Sequence, residues 1–283
     1  MASPADKMIA FQGFAGAYSH LACREAFPDL EAMPCGSFED AFDAVKSGNA
    51  GLAMIPIENS VAGRVADIHS FLPDSGLYIV AEHFQRVNHC LLGVKGATVA
   101  DIKVVHSHIQ ALSQCRNLIR DLGLKAEIEA DTAGSAKDIA AMGDSAHAAI
   151  ASALAGEIYG LDVIRRDIED ADHNTTRFVV LSRTAKRPEP TDGPAMTSFV
   201  FQVRNVPSAL YKAMGGFATN GVNMTKLESY QVGGSFNATQ FYADVEGHAD
   251  DKNVSLALEE LQFFTSKLKI LGVYPGHPFR GRG

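Results

Sequence analysis

The sequence predicts an α/β protein over residues 1–185 and a smaller α+β unit over 197–283. In the first part, short apolar runs alternate with segments of helical pattern, which is typical of α/β layering around a largely parallel sheet. In the last part the predicted elements follow the order βαββαβ, as in ferredoxin-like folds. Between them, residues 184–194 read TAKRPEPTDGP, with three prolines and one glycine. We therefore expect a linker at 186–196.

Eight strands are predicted in the first part from apolar runs bounded by turn residues. They lie at 8–12, 51–57, 77–81, 90–94, 102–105, 126–130, 148–151 and 177–181. Helices are predicted between them at 17–27, 110–122, 135–142 and 153–159. A further helix lies between Ser37, a favourable N-cap with Asp40 three residues later, and a stop at Gly48.

In the last part, strands are predicted at 198–203, 221–232, 236–246 and 268–273, and helices at 207–220 and 250–265. Pro207 suits the first turn of a helix because its fixed φ is already helical. Gly233 and Gly234 predict a hairpin between the second and third of these strands.

The composition argues against several classes of protein. The 283 residues are 46% hydrophobic and 20% charged, which is typical of a globular chain. With 25 Lys and Arg against 33 Asp and Glu, the net charge is −8, whereas nucleic-acid binders are more often basic. Apolar stretches such as 51–57 are far shorter than the about 20 residues of a membrane span. We therefore expect neither a nucleic-acid nor a membrane partner.

The N-terminal segment and the cysteines favour a cytoplasmic location. The start, MASPADKMIAFQG, has no apolar targeting segment. The four cysteines, Cys23, Cys35, Cys90 and Cys115, are scattered and show no C-x-x-C spacing. Free, buried thiols in a reducing compartment are the simplest interpretation.

Four polar segments interrupt the apolar pattern. The first, FQGFAGAYS at 11–19, lies between a strand and a helix. Its glycines allow backbone N–H groups to approach an anion at the helix N-terminus. An ordinary strand–helix turn explains the same spacing, so both interpretations stay open.

The second segment, IPIENS at 55–60, directly follows a buried strand. The side chains of Glu58, Asn59 and Ser60 thus lie at a strand's carboxyl end, where parallel sheets bind ligands. The alternative is that Asn59 or Ser60 caps a helix following Gly63.

The third segment, HSHIQALSQC at 106–115, again follows a strand and begins a helix. Gln110 and Gln114 are four residues apart and share one helix face. His106 and His108 do not share a face and no third ligand has a suitable spacing, so we expect no metal site. A capped surface helix is the alternative.

The fourth segment, HNTTRF at 173–178, leads into a strand. Two hydroxyls beside Arg177 are suited to protonating a group or binding an anion. A polar turn with Arg177 in a surface salt bridge is the alternative.

Common cofactor and nucleophile motifs are absent from the sequence. It has no GxxxxGK[ST] phosphate loop, no GxSxG nucleophile elbow, and no GxGxxG spacing after the first strand. No cysteine has an obvious activating neighbour. We therefore expect chemistry without a cofactor, carried by hydroxyl, carboxyl and amide groups.

In this order, the segments resemble prephenate dehydratase over almost the whole chain. The matching motifs are FQGxxGAYS at 11–19, PIENS at 56–60, HxQALxQC at 108–115, DTAGSA at 131–136 and NxTRF at 174–178. The resemblance implies two α/β lobes around a cleft, similar to type II periplasmic binding proteins, at about 1–80 with 165–185 and at about 81–164. An ACT regulatory domain would follow. No helical chorismate mutase segment precedes Met8, so the resemblance is to the monofunctional form.

The resemblance implies conversion of prephenate to phenylpyruvate, water and CO2 in L-phenylalanine biosynthesis. Loss of the ring hydroxyl and carboxylate makes the ring aromatic, so the enzyme mainly needs to bind two anions and help the hydroxyl to leave. Thr176 is the expected donor to that hydroxyl, by proton transfer or by a hydrogen bond. The other expected catalytic residues are Glu58, Asn59, Ser107 and Gln114. The expected substrate-binding residues are Ala17, Tyr18, Ser19, Ser60, Gln110, Thr132, Ser135, Arg177 and Phe178.

In this family the ACT domain binds L-phenylalanine and regulates the catalytic lobes. The family's Gly-Ala-Leu and Glu-Ser-Arg-Pro elements appear here as SAL at 208–210 and ESYQ at 228–231. The expected regulatory residues are Ser208, Ala209, Leu210, Asn220, Asn223, Leu227, Glu228 and Ser229. ACT sheets commonly pair edge to edge because an open edge offers unpaired backbone groups, so we expect a homodimer or homotetramer.

Two alternatives stay open. Arogenate dehydratase performs the same elimination on a substrate with an amine in place of the keto group, and the motifs do not separate the two. A non-catalytic amino-acid sensor would need the cleft but not Thr176. The complete HNTTRF segment favours an enzyme.

Overall fold

The structure is a computed structural model that describes residues 4–65, 68–204, 206–231 and 238–282. The chain divides into two compact units. The first is formed by Met1–Val65 and His83–Phe178, and the second by Ala66–Glu82 and Val179–Gly283. The division predicted from the sequence, with a linker at 186–196, stays a prediction.

The first sheet is built around three parallel strands. Its elements are β1 (Met8–Gln12), α1 (Tyr18–Ala26), β2 (Glu31–Cys35), α2 (Phe38–Lys46), β3 (Leu52–Asn59), β4 (Gly63–Arg64), α3 (Ile68–Phe71), β5 (Tyr78–Arg86) and the later β11 (Thr175–Ser182). The strand order is β2-β1-β3-β11-β5, and β4 pairs with β3. Strand β1 is parallel to both β2 and β3. The carboxyl ends of these strands therefore lie at one edge of the sheet.

The second sheet belongs to the first unit and is mixed. Its elements are β6 (Cys90–Gly93), β7 (Val104–His108), α4 (Ile109–Gln114), α5 (Arg116–Asp121), β8 (Lys125–Glu129), α6 (Thr132–Met142), β9 (His147–Ala151), α7 (Ala153–Tyr159) and β10 (Asp162–Arg165). The strand order is β10-β6-β9-β7-β8. Strand β7 is parallel to β8 and β9, whereas β6 is antiparallel to β9 and β10. The sheet is thus less parallel than the sequence pattern predicts.

The third sheet has the predicted βαββαβ order. Its elements are β12 (Ala195–Val203), α8 (Ala209–Thr219), β13 (Met224–Gln231), β14 (Ala238–Glu246), α9 (Lys252–Phe264) and β15 (Thr265–Pro275). The strands are antiparallel in the order β13-β14-β12-β15. Phe199 and Phe201 of β12 stack on Phe217 of α8 and Phe241 of β14, which fixes the helices against one face. Short 3₁₀ turns lie at Pro4–Lys7, Leu72–Asp74 and Pro278–Arg282.

Local sequence explains where several helices begin and end. Ser37 Oγ accepts a hydrogen bond from the backbone N–H of Asp40, and the Asp40 carboxylate accepts one from Ser37 N–H, both at 3.1 Å, which confirms the predicted cap. Helix α6 ends at Gly143 and α7 at Gly160, both in the left-handed conformation. In β6, Leu91 and Leu92 enter different apolar clusters because neighbouring strand residues face opposite sides.

Two helix predictions need correction. The helix predicted at 110–122 is two helices, because Cys115 leaves the helical conformation. The Asp170 carboxylate accepts hydrogen bonds from the backbone N–H groups of Arg116 and Asn117, at 3.0 and 3.2 Å, and so caps the second helix. The helix predicted at 207–220 begins at Ala209, so Pro207 precedes its first turn.

Other differences concern strands. The sequence pattern missed β2, β4 and β10, which are short or mostly polar edge segments. The residues after Asn59 form a turn and β4, and the helix that follows Gly63 begins at Ile68, so neither Asn59 nor Ser60 caps it. The hairpin predicted at Gly233 and Gly234 lies outside the described residues, as do the ends of the two strands predicted to flank it.

No helix in the described ranges combines the length and the apolar character that a membrane span requires. All four cysteines are free, and Cys35 is only partly buried.

Candidate active site

The carboxyl end of β3 and the start of β11 bring two predicted catalytic residues together. Asn59 is the last residue of β3, and Thr176 is the second residue of β11, its neighbour in the sheet. The Asn59 side-chain amide donates a hydrogen bond to Thr176 Oγ1 at 2.9 Å. Ser60 joins the same two strands, because its hydroxyl donates to the His173 carbonyl and accepts from the Thr175 N–H.

The direction of the Asn59–Thr176 bond follows from the backbone. Asn59 Oδ1 accepts hydrogen bonds from the N–H groups of Val61 and Ala62, at 2.9 and 2.8 Å. Since backbone N–H groups can only donate, the nitrogen of this amide must face Thr176. The bond therefore occupies an oxygen lone pair of the hydroxyl, and the Thr176 proton is directed toward another acceptor.

A hydrogen-bonded chain continues from Asn59 to the second sheet. Asn59 Nδ2 also donates to Asn174 Oδ1 at 2.8 Å, and Asn174 Nδ2 donates to Gln114 Oε1 at 2.8 Å. Gln114 Oε1 lies 2.9 Å from His89 Nε2, and His89 Nδ1 lies 2.9 Å from the Tyr18 hydroxyl. We call these residues, from Tyr18 to Thr176, the amide chain. It links groups on both sheets of the first unit.

An ion pair between buried Arg177 and partly exposed Glu58 lies beside the amide chain. Arg177 Nη1 donates to Glu58 Oε1 at 2.9 Å, and the Arg177 side chain is only 3% exposed. The alternative of a surface salt bridge is therefore wrong for Arg177, although the predicted ion-pairing itself is present. Glu58 precedes Asn59, and Arg177 follows Thr176, so the pair holds the two strands where their polar residues meet.

The glycine-rich turn packs closely on the second sheet's helices. Gly16 has φ +93°, and a Cβ at this position would lie 2.7 Å from Ala155 Cα. The Gly16 carbonyl accepts from Ser152 Oγ at 2.5 Å, and the Ala15 carbonyl accepts from the Tyr159 hydroxyl at 2.9 Å. Gly16 thus serves a close approach of two backbones as well as the turn.

Helix α1 begins directly after this turn, at Tyr18, and Ala17 provides no side-chain cap. The predicted residues Ala17 and Ser19 are buried at its first turn. The first N–H groups of an α-helix lack intrahelical partners, so this end of α1 has the electrostatic character that favours a carboxylate.

The N-terminus of α6, where Thr132 and Ser135 are predicted to bind the substrate, is already capped. The Asp131 carboxylate accepts a hydrogen bond from the Gly134 N–H at 2.7 Å, and Ser135 Oγ donates to the Asp131 carbonyl. A carboxylate of the protein therefore already occupies the N-terminus of α6, near Thr132. Repulsion between like charges makes this helix end less suited to binding a substrate carboxylate.

The remaining predicted residues of the first unit are dispersed. The Ser107 side chain is fully buried and donates to the Ile150 carbonyl at 2.6 Å, so it joins β7 to β9. Gln110 is exposed at the start of α4, whereas Gln114, four residues later, belongs to the amide chain. Phe178 is buried in β11.

His89 and Asn174 are the residues of the amide chain that sequence reasoning did not select. Asn174 is 1% exposed, and its place in the NxTRF motif is the sequence signal that points to it. His89 lies in no motif, directly before β6, and is 2% exposed. A buried histidine gives no sequence signal, because burial depends on elements distant in the chain.

Burial shifts the pKa values of His89 and Tyr18, the two residues at one end of the amide chain. Burial lowers the pKa of His89 below its ordinary value, although the hydrogen bond to Gln114 and the nearby Glu169 carboxylate act in the opposite direction. Burial also raises the pKa of the Tyr18 hydroxyl well above its ordinary value. Both groups are therefore neutral near pH 7.

The predicted regulatory residues lie in the second unit. Ser208 precedes α8 in a left-handed conformation with φ +65°, and Ala209 and Leu210 contact the apolar core of the third sheet. Asn220 Nδ2 donates to Glu260 Oε1 at 3.0 Å, and Asn223 Nδ2 donates to Glu246 Oε2 at 3.0 Å. Leu227, Glu228 and Ser229 lie on the edge strand β13, where Glu228 pairs with Lys226.

Among the described residues, no group of three or more His, Cys, Asp and Glu side chains has an arrangement that could hold a metal ion. The site is instead composed of amide, hydroxyl and guanidinium–carboxylate groups.

Comparison with known proteins identifies the family. Residues 9–186 match the family model for prephenate dehydratase. A bifunctional N-acyl-homoserine lactone acylase/prephenate dehydratase of Komagataeibacter europaeus is 53% identical over 275 residues, covering 97% of this chain and 98% of that protein. The chloroplastic arogenate dehydratase/prephenate dehydratase 1 of Arabidopsis thaliana is 42% identical over 281 residues, covering 94% and 71%.

A solved structure supports the same family assignment. The crystal structure of prephenate dehydratase from Arthrobacter aurescens in complex with L-phenylalanine superposes with a TM-score of 0.86 at 30% identity, covering 95% of this chain and 90% of that one. This similarity confirms the predicted fold class, an α/β part with two lobes and a smaller α+β part. The chain belongs to the prephenate dehydratase family.

Proposed function

We propose that the protein is a prephenate dehydratase, which converts prephenate to phenylpyruvate, water and CO2. The observation that carries the proposal is the Asn59–Thr176 hydrogen bond, because its direction leaves the hydroxyl proton of Thr176 to be donated. A donor of this kind suits a reaction in which a hydroxyl must leave from carbon. Family membership supports the same reaction.

In the proposed reaction, the bond between the ring carbon and its carboxylate breaks, and its electron pair enters the ring. The ring double bonds shift, and the opposite C–O bond breaks with its electron pair staying on oxygen. That oxygen takes one proton and leaves as water. Thr176 donates the proton, or stabilises the developing charge by a hydrogen bond, and solvent restores it. The aromatic product provides the driving force.

We assign supporting roles to the neighbouring groups. Asn59 orients the Thr176 hydroxyl, and the ion pair of Arg177 with Glu58 holds the strand that carries it. The first turn of α1, around Tyr18 and Ser19, suits a substrate carboxylate because it has no side-chain cap. Gln114 supports this arrangement through its hydrogen bond with Asn174 in the amide chain.

The names of two relatives suggest two other activities, which experiment can distinguish from the proposed one. The Arabidopsis relative is named as both an arogenate and a prephenate dehydratase, and the same site chemistry serves both substrates. The Komagataeibacter relative is also named as an acylase. For acyl transfer by a cysteine, this chain is poorly suited, because burial raises the pKa of Cys23 to about 12 and also raises the pKa values of Cys35, Cys90 and Cys115.

Purified protein should be incubated separately with prephenate, arogenate and an N-acyl-homoserine lactone, without added cofactor. We expect rapid formation of phenylpyruvate, followed by its ultraviolet absorbance. The variant Thr176→Val, which keeps the shape but removes the hydroxyl, should lose turnover by at least about 100-fold. Turnover of arogenate alone would mean that arogenate, and not prephenate, is the substrate. If neither prephenate nor arogenate is converted but either of them still binds, a non-catalytic amino-acid sensor is favoured.

We also propose that the βαββαβ part is an ACT domain that binds L-phenylalanine and regulates the enzyme. The L-phenylalanine complex of the Arthrobacter relative supports this. Calorimetry with millimolar L-phenylalanine should give a saturable heat, and L-phenylalanine should change the turnover of prephenate. A flat titration contradicts the proposal. The edge strands β13 and β15 support association into a homodimer or homotetramer, which sedimentation analysis tests.

A further inference from the structure

His89 lies between Tyr18 and Gln114 in the amide chain and is held by its backbone and by both ring nitrogens. Its backbone N–H donates to Glu169 Oε2 at 2.8 Å, and its carbonyl accepts from Ile168 N–H at 3.1 Å. Its ring nitrogens lie 2.9 Å from Gln114 Oε1 and 2.9 Å from the Tyr18 hydroxyl. The imidazole is therefore a fixed point between α1 and α4.

The geometry determines which ring nitrogen carries the proton. The backbone N–H groups of Val61 and Ala62 orient the Asn59 amide, and its nitrogen faces the Asn174 oxygen. The Asn174 nitrogen then faces the Gln114 oxygen. Since this oxygen can only accept, His89 Nε2 must carry a hydrogen.

Tyr18 completes the arrangement from the other side. In a neutral imidazole with hydrogen on Nε2, Nδ1 is an acceptor, and the Tyr18 hydroxyl is the donor that reaches it. The same hydroxyl donates to the Asn88 carbonyl at 2.8 Å, so its single hydrogen is shared between the two acceptors. Other ionisable groups near this pair are Glu169, Cys90 and Cys115.

We propose that His89 is a positioning residue for catalysis, whose Nε2–H holds the Gln114 oxygen and thereby steadies the Asn174 and Asn59 amides that lead to Thr176. This inference rests on the proposed function, in which Thr176 is the donor. Without the Nε2–H, the Gln114 oxygen is left with the hydrogen bond from the Asn174 amide, so the Gln114 side chain is held less firmly. Motion of Gln114 would weaken its hydrogen bond with Asn174, and Asn174 would in turn hold the Asn59 amide less firmly, although Val61 and Ala62 still orient that amide.

Two substitutions at His89 separate positioning from packing. His89→Leu removes the donor, whereas His89→Gln places an amide N–H near the position of Nε2. We expect kcat for prephenate to fall by about 10–100-fold in His89→Leu, with a smaller change in KM. His89→Gln should recover most of the lost kcat. His147→Leu, at a partly buried histidine on β9 outside the amide chain, is the matched control and should keep its kcat.

Wild-type kcat in His89→Leu overturns the inference, and so does a His89→Gln variant as slow as His89→Leu while both remain folded by thermal unfolding. Absence of turnover in the wild-type protein instead overturns the proposed function. Normal wild-type turnover together with normal His89→Leu turnover overturns only the role of His89.

A second measurement does not depend on turnover. Nitrogen-15 NMR of the histidine rings in the wild-type protein at pH 7 reports which nitrogen is protonated, and the loss of one signal in His89→Gln, or its contact with the Tyr18 ring, assigns His89. We expect hydrogen on Nε2 and none on Nδ1. Hydrogen on Nδ1 with an unprotonated Nε2 overturns the inference.

Discussion

Asn59 donates a hydrogen bond to the hydroxyl oxygen of Thr176 across 2.9 Å, although the two residues are 117 positions apart in the chain. The sheet order explains this proximity, because β3 and β11 are neighbours and the polar residues lie at their adjoining ends. The direction of the bond is set by two backbone N–H groups that bind the other end of the amide. Reversing the direction of this hydrogen bond therefore tests whether Thr176 is the proton donor.

Asn59→Asp should reverse the bond while preserving the size of the side chain. A carboxylate has no proton to donate, so Thr176 would donate to it and lose the proton proposed for the substrate. We expect kcat to fall by at least about 100-fold, measured as phenylpyruvate formation. Thr176→Ser keeps the hydroxyl and is the control, which should stay within about 10-fold of the wild type. Equal losses in both variants would contradict the assignment.

Gly16→Ala should destabilise the first unit more than an alanine at an open left-handed glycine. Gly143, with φ +69° and no atom within 4 Å of an added Cβ, measures the conformational cost alone, about 1–3 kcal/mol. At Gly16 the added Cβ also meets the backbone of Ala155, which lowers the free energy of unfolding by about 1–3 kcal/mol more. Urea unfolding of Gly16→Ala and Gly143→Ala compares the two costs. Similar losses would show that the contact with Ala155 relaxes freely.

Arg280→Met should destabilise the second unit. Arg280 binds both carboxylate oxygens of Glu82, at 2.6 and 2.8 Å, and the Glu82 side chain is fully buried. Removing the guanidinium leaves a buried carboxylate, which typically costs about 3–5 kcal/mol of unfolding free energy. The double variant Arg280→Met with Glu82→Gln should lose less than Arg280→Met alone. A double variant with the larger loss would contradict this account of the pair.

Stability should fall as the pH rises above about 9. Burial raises the pKa of Cys23 to about 12 from 9.0, so between these values the unfolded chain loses a proton that the folded protein keeps. The free energy of unfolding then decreases with pH, by up to about 1.4 kcal/mol per pH unit for one such thiol. The pKa values of Cys115 and Tyr18 are also raised by burial and add to the effect.

Urea unfolding between pH 7 and pH 11 measures this decrease. Cys23→Ala, which removes one of the buried thiols, should show a shallower decrease than the wild type. Identical slopes in the two proteins would mean that the Cys23 thiol ionises equally in the folded and unfolded chains.

Local signals in the sequence predicted most elements and some site residues. The capping pattern at Ser37 and Asp40 places α2 correctly, because both partners lie within one helical turn. Distant groups explain the failures. The Asp170 carboxylate divides the predicted helix at Cys115, and no pattern within 110–122 contains that information.

The sequence by itself determined the fold class, the family, and the residue types near Asn59 and Thr176, because these depend on periodicity and on short motifs. Only the tertiary structure decided which of those residues meet. It buried Ser107 as a link between β7 and β9, paired Arg177 with Glu58, and brought His89 and Tyr18 to the amide chain. The physical reason is that a hydrogen bond depends on distance and direction in space, which sheet order and register set between residues remote in the chain.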